Sequence, residues 1–457
     1  MTLRPIPESG SFVFYSDAPA DSPDAKAPPF DNSDTAKVFQ AERYTSTDFA
    51  EQEWETMWTK VWVIAGRVSD IPNTGDYIRF DLGRESFIIV RQDSGEIAAF
   101  YNLCHHRGNQ LIFQHLGNVE NFRCKFHDWI WAIDGRLTDV KDLDTFEEGA
   151  MDDMPPLTPV KCDTWGGFVF INMDENSMPL LDYLGPFPDQ LAGYHFEDMV
   201  PVLDAHSEWE ANWKVGLDAF MEAYHVTSTH PQGAYFLDDY HIQWDLYKNG
   251  MSRMLIEVCT VSPRLPDDAP VNDYLRLMLS EVGIDPDKFN GRGRDVRRAV
   301  QVAKREITEK RGIDYSELTD DQLSDDWNYH LFPNVTLNIH AEGALVMQFL
   351  PHPKDPDKFT YGITVLARPL NDPDYRMPAY MGLPEDTDLS GKTRPERVVV
   401  PSDSPALEPV VIQDTVAVPR VQKGMHSRAF KGLRLSKQEQ RMRHYHGEID
   451  RFVEGRK

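Results

Sequence analysis

Four side chains suited to a redox-active metal centre stand close together in the first third of the chain. Cys104-His-His106 and Cys124-Lys-Phe-His127 each offer one thiol and one imidazole, with seventeen residues between His106 and Cys124. A structural zinc site usually draws on pairs of Cys and pairs of His, whereas here each segment supplies one of each. That order suits a [2Fe–2S] cluster in which two Cys hold one iron and two His hold the other. Neutral imidazoles in place of thiolates lower the negative charge around the cluster and raise its potential, so it would accept electrons from a lower-potential donor. His105, between the ligands, is a weaker candidate, His115 between the loops reads as a surface residue, and Cys162 and Cys259, without partners in sequence, read as core residues.

A second polar group lies in Asn212-Trp-Lys-Val-Gly-Leu-Asp-Ala-Phe-Met-Glu-Ala-Tyr-His-Val-Thr-Ser-Thr-His230. Asp218, Glu222 and His225 fall at i, i+4 and i+7, which predicts one face of a helix over residues 212–226. His230 is five residues beyond His225, about 140° away on an ideal helix, so both reach one metal only if the helix distorts or ends between them. Thr227, Ser228 and Thr229 are weak helix formers that permit this. Two imidazoles with one carboxylate make the facial triad of mononuclear Fe(II) oxygenases, which leaves coordination positions open for O2. The carboxylate must come from elsewhere in the chain.

The elements that must position these groups differ along the sequence. Residues 61–176 contain short β-rich runs at 77–82, 86–91 and 166–173, with turns at Asp93-Ser-Gly95 and Asp134-Gly135, and predict a small all-β domain. Before it come a Pro-, Asp-, Ser- and Ala-rich stretch, 1–38, which reads as a flexible, extended arm, and an amphipathic helix within 39–60 that should pack on a larger body. Residues 177–457 mix β-like runs (251–262, 334–351, 359–368) with helices at 212–226, 294–310 and the last twenty residues. Ser436 and Glu439 suggest a capping box for the last helix. Helices around an antiparallel sheet, an α+β domain, fit this order. Acid-rich stretches at 266–274, 319–326 and 371–374 read as loops.

The composition limits what such a protein does. The chain has 457 residues and a formal charge of −27, from 47 Lys and Arg against 74 Asp and Glu, so phosphate-backbone binding is excluded as its main business and nucleic acid is no partner. Four cysteines cannot staple a chain of this length. No stretch reaches the ~18 apolar residues of a membrane span and no apolar signal segment opens the chain, so a cytoplasmic location is expected. A local basic stretch (Arg292, Arg294, Arg297, Arg298, Lys304, Arg305, Lys310, Arg311) reads first as a solvated helix face and second as a dock for an acidic redox partner. Leu331-Phe-Pro-Asn-Val335 and Ala344–Leu350 could wall a pocket together with Phe220 and Met221.

Asn102-Leu-Cys-His-His-Arg-Gly-Asn-Gln, Cys124-Lys-Phe-His-Asp-Trp-Ile-Trp and Asp134-Gly-Arg-Leu resemble the Rieske segments of the large (alpha) subunits of Rieske non-heme iron ring-hydroxylating oxygenases. Members more often read Cys-Pro-Tyr-His-Gly-Trp at the second segment. The resemblance covers roughly residues 40–455. It implies a Rieske [2Fe–2S] domain on Cys104, His106, Cys124 and His127, inserted near the start of a helix-grip catalytic domain with mononuclear Fe(II) on His225, His230 and a late acid. Asp414, in Gln413-Asp-Thr-Val, occupies the matching place. Glu222 stands where many members carry an Asp that bridges, across a subunit boundary, from a Rieske His to the first iron ligand. The resemblance thus implies that Glu222 joins His127 of one subunit to His225 of the next, with Asp218 supporting the same network. It further implies a homotrimer in which each cluster feeds its neighbour's iron, with a beta subunit left open, and electrons from NAD(P)H through a reductase and ferredoxin. The activity it implies is hydroxylation, with cis-dihydroxylation of a hydrophobic aromatic substrate as the main reading. Oxidative N- or O-dealkylation is the alternative, and some members with Glu at this place act on non-aromatic or quaternary-amine substrates. A pure electron carrier with an inactive second domain is a further alternative.

Overall fold

The computed structural model describes residues 22–308, 312–369, 377, 381, 383–384, 387–404, 407 and 409–457. The first part of the expected arm, Lys310 and Arg311 of the basic stretch, and the expected loop at 371–374 lie outside the described residues. The chain forms two compact units, Trp54–Tyr183 and a second built from the residues up to Glu53 together with Leu184–Lys457. The division passes through a continuous helical run, Thr47–Glu53 followed by Trp54–Trp58.

In the first unit, seven antiparallel strands lie in the spatial order Val63–Arg67, Phe168–Asn172, Pro159–Trp165, Ile97–Tyr101, Glu85–Arg91, Asp76–Leu82, Leu116–Asn118 among the described residues. Alternation drives the pairing: Ile78, Phe80 and Leu82 are buried while Asp81 faces water. A second sheet stacks Asn121–Arg123, Ile130–Ala132 and Leu137–Asp139. The predicted turns close at Gly95 and Gly135, both at φ +87°, a backbone region that glycine enters without strain. Phe100, Phe122, Trp129 and Trp131 form the core around Cys104 and Cys124.

The second unit is built on one eight-stranded sheet in the order Gln243–Leu246, Ser252–Ile256, Asp326–Leu331, Val335–His340, Gly343–Pro351, Phe359–Ala367, Val200–Trp209, Val398–Val399. All neighbours are antiparallel except the short last strand, which runs parallel to Val200–Trp209. The capping box forms: Ser436 Oγ accepts from Gln438 N–H and Glu439 Oε2 from Ser436 N–H (2.7 Å), ahead of the helix Gln440–Val453. Met442, Tyr445, Ile449 and Phe452 of that helix are buried. The α+β architecture expected from the sequence is thus the one observed, and no helix among the described residues is long and apolar enough to cross a membrane.

Several expectations need correction. Residues 22–27 are not free: buried Arg253 donates to the carbonyls of Pro23 (2.5 Å) and Ala25 (2.7 Å), and Ala27 N–H donates to Asp245 Oδ1 (2.8 Å). The acid-rich stretch 319–326 is not a loop but a helix, Asp320–Ser324, capped by Thr319, and the start of a strand. Its acids partner the basic helix Val296–Glu306, with Arg297 on Asp321 and Asp325, and Arg298 and Arg305 on Asp320. Lys304 is buried against Glu342 at 2.9 Å. The basic stretch is therefore largely neutralised within its own unit, which removes the reason to assign it a docking role.

Candidate metal centres and the cavity beside them

The two segments that carry the candidate cluster ligands fold alike. Gly108 N–H donates to Cys104 O (2.9 Å) and Asp128 N–H to Cys124 O (3.0 Å), while Cys104 N–H donates to Asn109 O (2.8 Å) and Cys124 N–H to Trp129 O (2.9 Å). Each loop therefore needs a left-handed residue four places after its Cys: Gly108 at φ +76° and Asp128 at φ +65°. Asp128 is the departure from the Gly more usual in the resembling segments, and it faces Arg123 at 3.3 Å. Asn102 ties the first loop down, accepting from Leu111 N–H (3.0 Å) and Ile112 N–H (2.9 Å) and donating to Ile112 O (2.8 Å).

Both Cys are buried and the His106 and His127 rings meet edge to face at 4.5 Å. His106 stacks on Trp129 at 4.7 Å, and its Nδ1 is buried without a hydrogen-bond partner among the described residues. A buried imidazole nitrogen with no donor or acceptor beside two thiols fits a metal ligand. Burial raises the Cys104 thiol's pKa, and a cation beside it would favour the thiolate that binds metal. His105 does not share this site, because its Nε2 meets Pro156 O at 3.0 Å. Burial pushes the Cys162 and Cys259 thiols up to about 12, which keeps them protonated and out of metal chemistry.

In the second unit the expected helix ends early. It spans Trp213–Ala219, capped by Asn212, and a separate turn of helix runs Val226–Thr229 between the two histidines. Glu222 lies within the break: its Oε2 accepts from the backbone N–H of Tyr224 and of His225 (3.0 Å), in place of the helical bonds those amides would make. Asp218, Glu222 and His225 therefore do not share one helix face. Glu222 Oε1 lies 2.7 Å from His225 Nδ1. Asp218 points elsewhere, accepting from Tyr44 O–H (2.8 Å) and Tyr445 O–H, with His446 Nε2 at 3.3 Å. It joins the beginning and end of the chain to the helix Trp213–Ala219, a structural place outside the expected ligand network.

Asp414 arrives on the helix Pro409–Met425, which the sequence analysis did not foresee. Its Oδ1 is 3.2 Å from His230 Nε2 and 3.8 Å from His225 Nε2, and the two Nε2 atoms are 3.2 Å apart. Ligand atoms ~2.1 Å from one ion at right angles stand ~3 Å apart, so the three are placed for a shared metal. The hydrogen bonds agree. His225 Nδ1 faces Glu222 Oε1, and His230 Nδ1 faces Gln413 Oε1 at 2.7 Å, an oxygen that also accepts from Gln232 Nε2 (2.7 Å). With each Nδ1 donating to an oxygen, both Nε2 lone pairs converge with a carboxylate oxygen, an arrangement that a cation stabilises. Gln413 and Gln232 went unnoticed in the sequence because glutamine next to a ligand carries no spacing signal.

A cavity of about 170 Å³ opens beside His230. Phe220, Leu345 and Met347 line it, as proposed from sequence, whereas Met221 is buried in the core and Leu331–Val335 do not contribute. Val226, Leu237 and Ile256 extend the apolar wall, and Asp326, Asn338 and His340 interrupt it. These three polar residues were not anticipated either, since only the sheet brings them to one place.

Residues 196–455 match the family model described as ring hydroxylating alpha subunit (catalytic domain), and residues 61–160 match the Rieske [2Fe-2S] domain. The chain belongs to the ring-hydroxylating alpha-subunit family of Rieske non-heme iron oxygenases, whose two domains carry a [2Fe–2S] cluster and a mononuclear iron. Among curated relatives, the carnitine monooxygenase oxygenase subunit of Acinetobacter pittii (strain PHEA-2) is 34% identical over 203 residues, 44% of this chain and 54% of that protein. The glycine betaine monooxygenase oxygenase subunit of Pseudomonas aeruginosa (strain UCBPP-PA14) is 30% identical over 191 residues, covering 41% and 44%. The anthranilate 1,2-dioxygenase large subunit of Acinetobacter baylyi is 32% identical over 193 residues, covering 41% of each. The matched stretch thus spans about half the length of these relatives. A solved quaternary ammonium Rieske monooxygenase shares the fold, with a TM-score of 0.66 and 20% identity over 96% of this chain and 99% of its own.

Proposed function

We propose that the protein is the terminal oxygenase of a Rieske system that hydroxylates a carbon bonded to nitrogen in a small alkylammonium substrate. The observation that carries the oxygenase reading is the convergence of His225, His230 and Asp414, with His230 also lining a mostly apolar cavity. Support for dealkylation over ring dihydroxylation comes from the carnitine and glycine betaine relatives and from Glu222 in the place where many members have Asp. One atom of O2 enters the C–H bond and the other leaves as water, using two electrons and two protons. The N–CH2OH product then breaks its C–N bond to release an aldehyde, the amine and a proton. Electrons come from NAD(P)H through a reductase, with or without a ferredoxin.

Iron held by the triad supplies O2 activation, and the cluster held by Cys104, His106, Cys124 and His127 supplies electrons. Glu222 and Gln413 fix the planes of His225 and His230 by accepting from each Nδ1, which leaves both Nε2 atoms to hold the iron together with Asp414. In a homotrimer, Glu222 would also stand on the route from a neighbouring subunit's His127 to His225. Phe220, Leu345 and Met347 exclude water around the reacting C–H bond.

Cis-dihydroxylation remains a second reading, favoured by the anthranilate dioxygenase relative and by a cavity close in size to one of ~150 Å³ that accepts benzene. Turnover with a reconstituted reductase and ferredoxin, labelled O2, and a panel of quaternary ammonium and aromatic acids decides between them. Aldehyde release from an ammonium substrate supports the proposal. A diol retaining both labelled atoms, with no aldehyde from any amine, refutes it.

A further inference from the structure

The polar patch in the cavity comes from two adjacent strands, Asp326–Leu331 and Val335–His340. Asn338 Nδ2 donates to Asp326 Oδ2 at 2.9 Å. The other oxygen, Oδ1, is buried and has no hydrogen-bond partner among the described residues, with His340 Nε2 at 4.0 Å. Burial draws His340 down to about 3, so that ring is neutral and cannot neutralise the carboxylate. Arg441, on the helix Gln440–Val453, attracts Asp326 and Asp325 repels it, but neither bonds to it. Arg441 Nε donates to Ser252 Oγ at 3.1 Å, and both its Nη atoms lack partners. Asp326 is the one acid among the residues that line the cavity, and its Oδ1 is left without a hydrogen-bond partner among the described residues.

We propose that Asp326 is the substrate-recognition residue of this cavity, its free Oδ1 facing the positive nitrogen of an alkylammonium group while the apolar wall takes the alkyl groups. This rests on the dealkylating reading and names the charge that selects its substrate. A quaternary nitrogen donates no hydrogen bond, so only an anion or a π face in a poorly solvated site attracts it strongly. An uncharged molecule of the same shape leaves the carboxylate unpaired and is rejected on that account. Burial also raises the Asp326 carboxyl to about 7, so a bound cation, which favours the ionised form, is held more tightly as pH rises through that value.

The test compares choline with its uncharged carbon isostere, 3,3-dimethylbutan-1-ol, by calorimetry on the full chain loaded with cluster and iron. The wild type is expected to prefer choline at least tenfold, with the preference growing between pH 6 and 8. Asp326→Asn should bind the isostere as before and lose the preference. Asn338→Ala keeps the carboxyl but removes its donor, so the preference should persist with its pH midpoint moved upward. An unchanged preference in Asp326→Asn, or none in the wild type, overturns the proposal. If Asp326→Asn does not fold, as judged by its cluster spectrum and melting, an unmoved midpoint in Asn338→Ala overturns it instead. A wild type that prefers choline but releases no aldehyde from any ammonium substrate contradicts the dealkylating reading and leaves this cation site standing.

Discussion

The two metal centres are assembled by different kinds of structure. The candidate cluster ligands lie between Cys104 and His127, on two loops that repeat the same backbone hydrogen bonds and the same left-handed turn. The triad joins His225 and His230 to Asp414 on a helix far along the chain, and side chains such as Gln413 hold it together. The first site is written mainly in local backbone geometry, while the second depends on tertiary packing around it. Substitutions that disturb one should therefore leave the other intact, and the kinds of change that harm them should differ.

The largest effect of this kind is expected at Gln413. Gln413→Leu removes the acceptor from His230 Nδ1 and should weaken iron binding by ~10–100-fold, while the cluster's absorption spectrum stays unchanged. Metal titration of protein stripped of its mononuclear iron measures it.

Burial of charge separates the two units next. The Asp326 carboxyl, raised to about 7 by burial, is neutral in the folded protein at pH values where the unfolded chain, near 3.9, has already ionised. Its contribution to stability is full below about pH 4 and is lost as pH rises through about 7. Asp326→Asn should therefore gain thermal stability over the wild type between pH 5 and 8, by up to a few kcal/mol. Melting curves across that range, followed in the second unit, should show the gain; a constant difference would contradict the buried, unpaired carboxyl.

A smaller effect concerns the cluster loop. Asp128→Gly should be neutral or stabilising, because the loop requires φ +65° there, whereas Asp128→Val should cost about 1–2 kcal/mol. Thermal loss of the cluster's visible absorption tests both. The smallest effect belongs to the basic helix. Arg298→Glu breaks an exposed pair with Asp320 worth under about 1 kcal/mol and should leave the rate of cluster reduction by ferredoxin unchanged in stopped-flow measurements.

This contrast also explains what the sequence conveyed. The Cys and His spacing pointed to the cluster because its loops are local, and the strand and helix periods gave the α+β architecture because burial imposes them directly. Asp414 was found only through the family resemblance, since one acid among 74 has no pattern of its own. The helical period across residues 212–226 was misleading: Glu222 captures the Tyr224 and His225 amides, a competition between side chain and backbone that periodicity does not register. The acid-rich 319–326 and basic 292–311 stretches looked like separate surface features, although the described part of each neutralises the other. Asp326 lay unnoticed inside the first of them because its role depends on which strand lies beside it.

The most direct test of the account is Asp414→Ala purified with its metals. This variant is expected to lose the mononuclear iron and all oxygenation, yet to keep the cluster's visible and electron paramagnetic resonance spectra and its reduction by ferredoxin. Retained oxygenation, or loss of the cluster together with the iron, would contradict two separately built centres with oxygen chemistry at the triad.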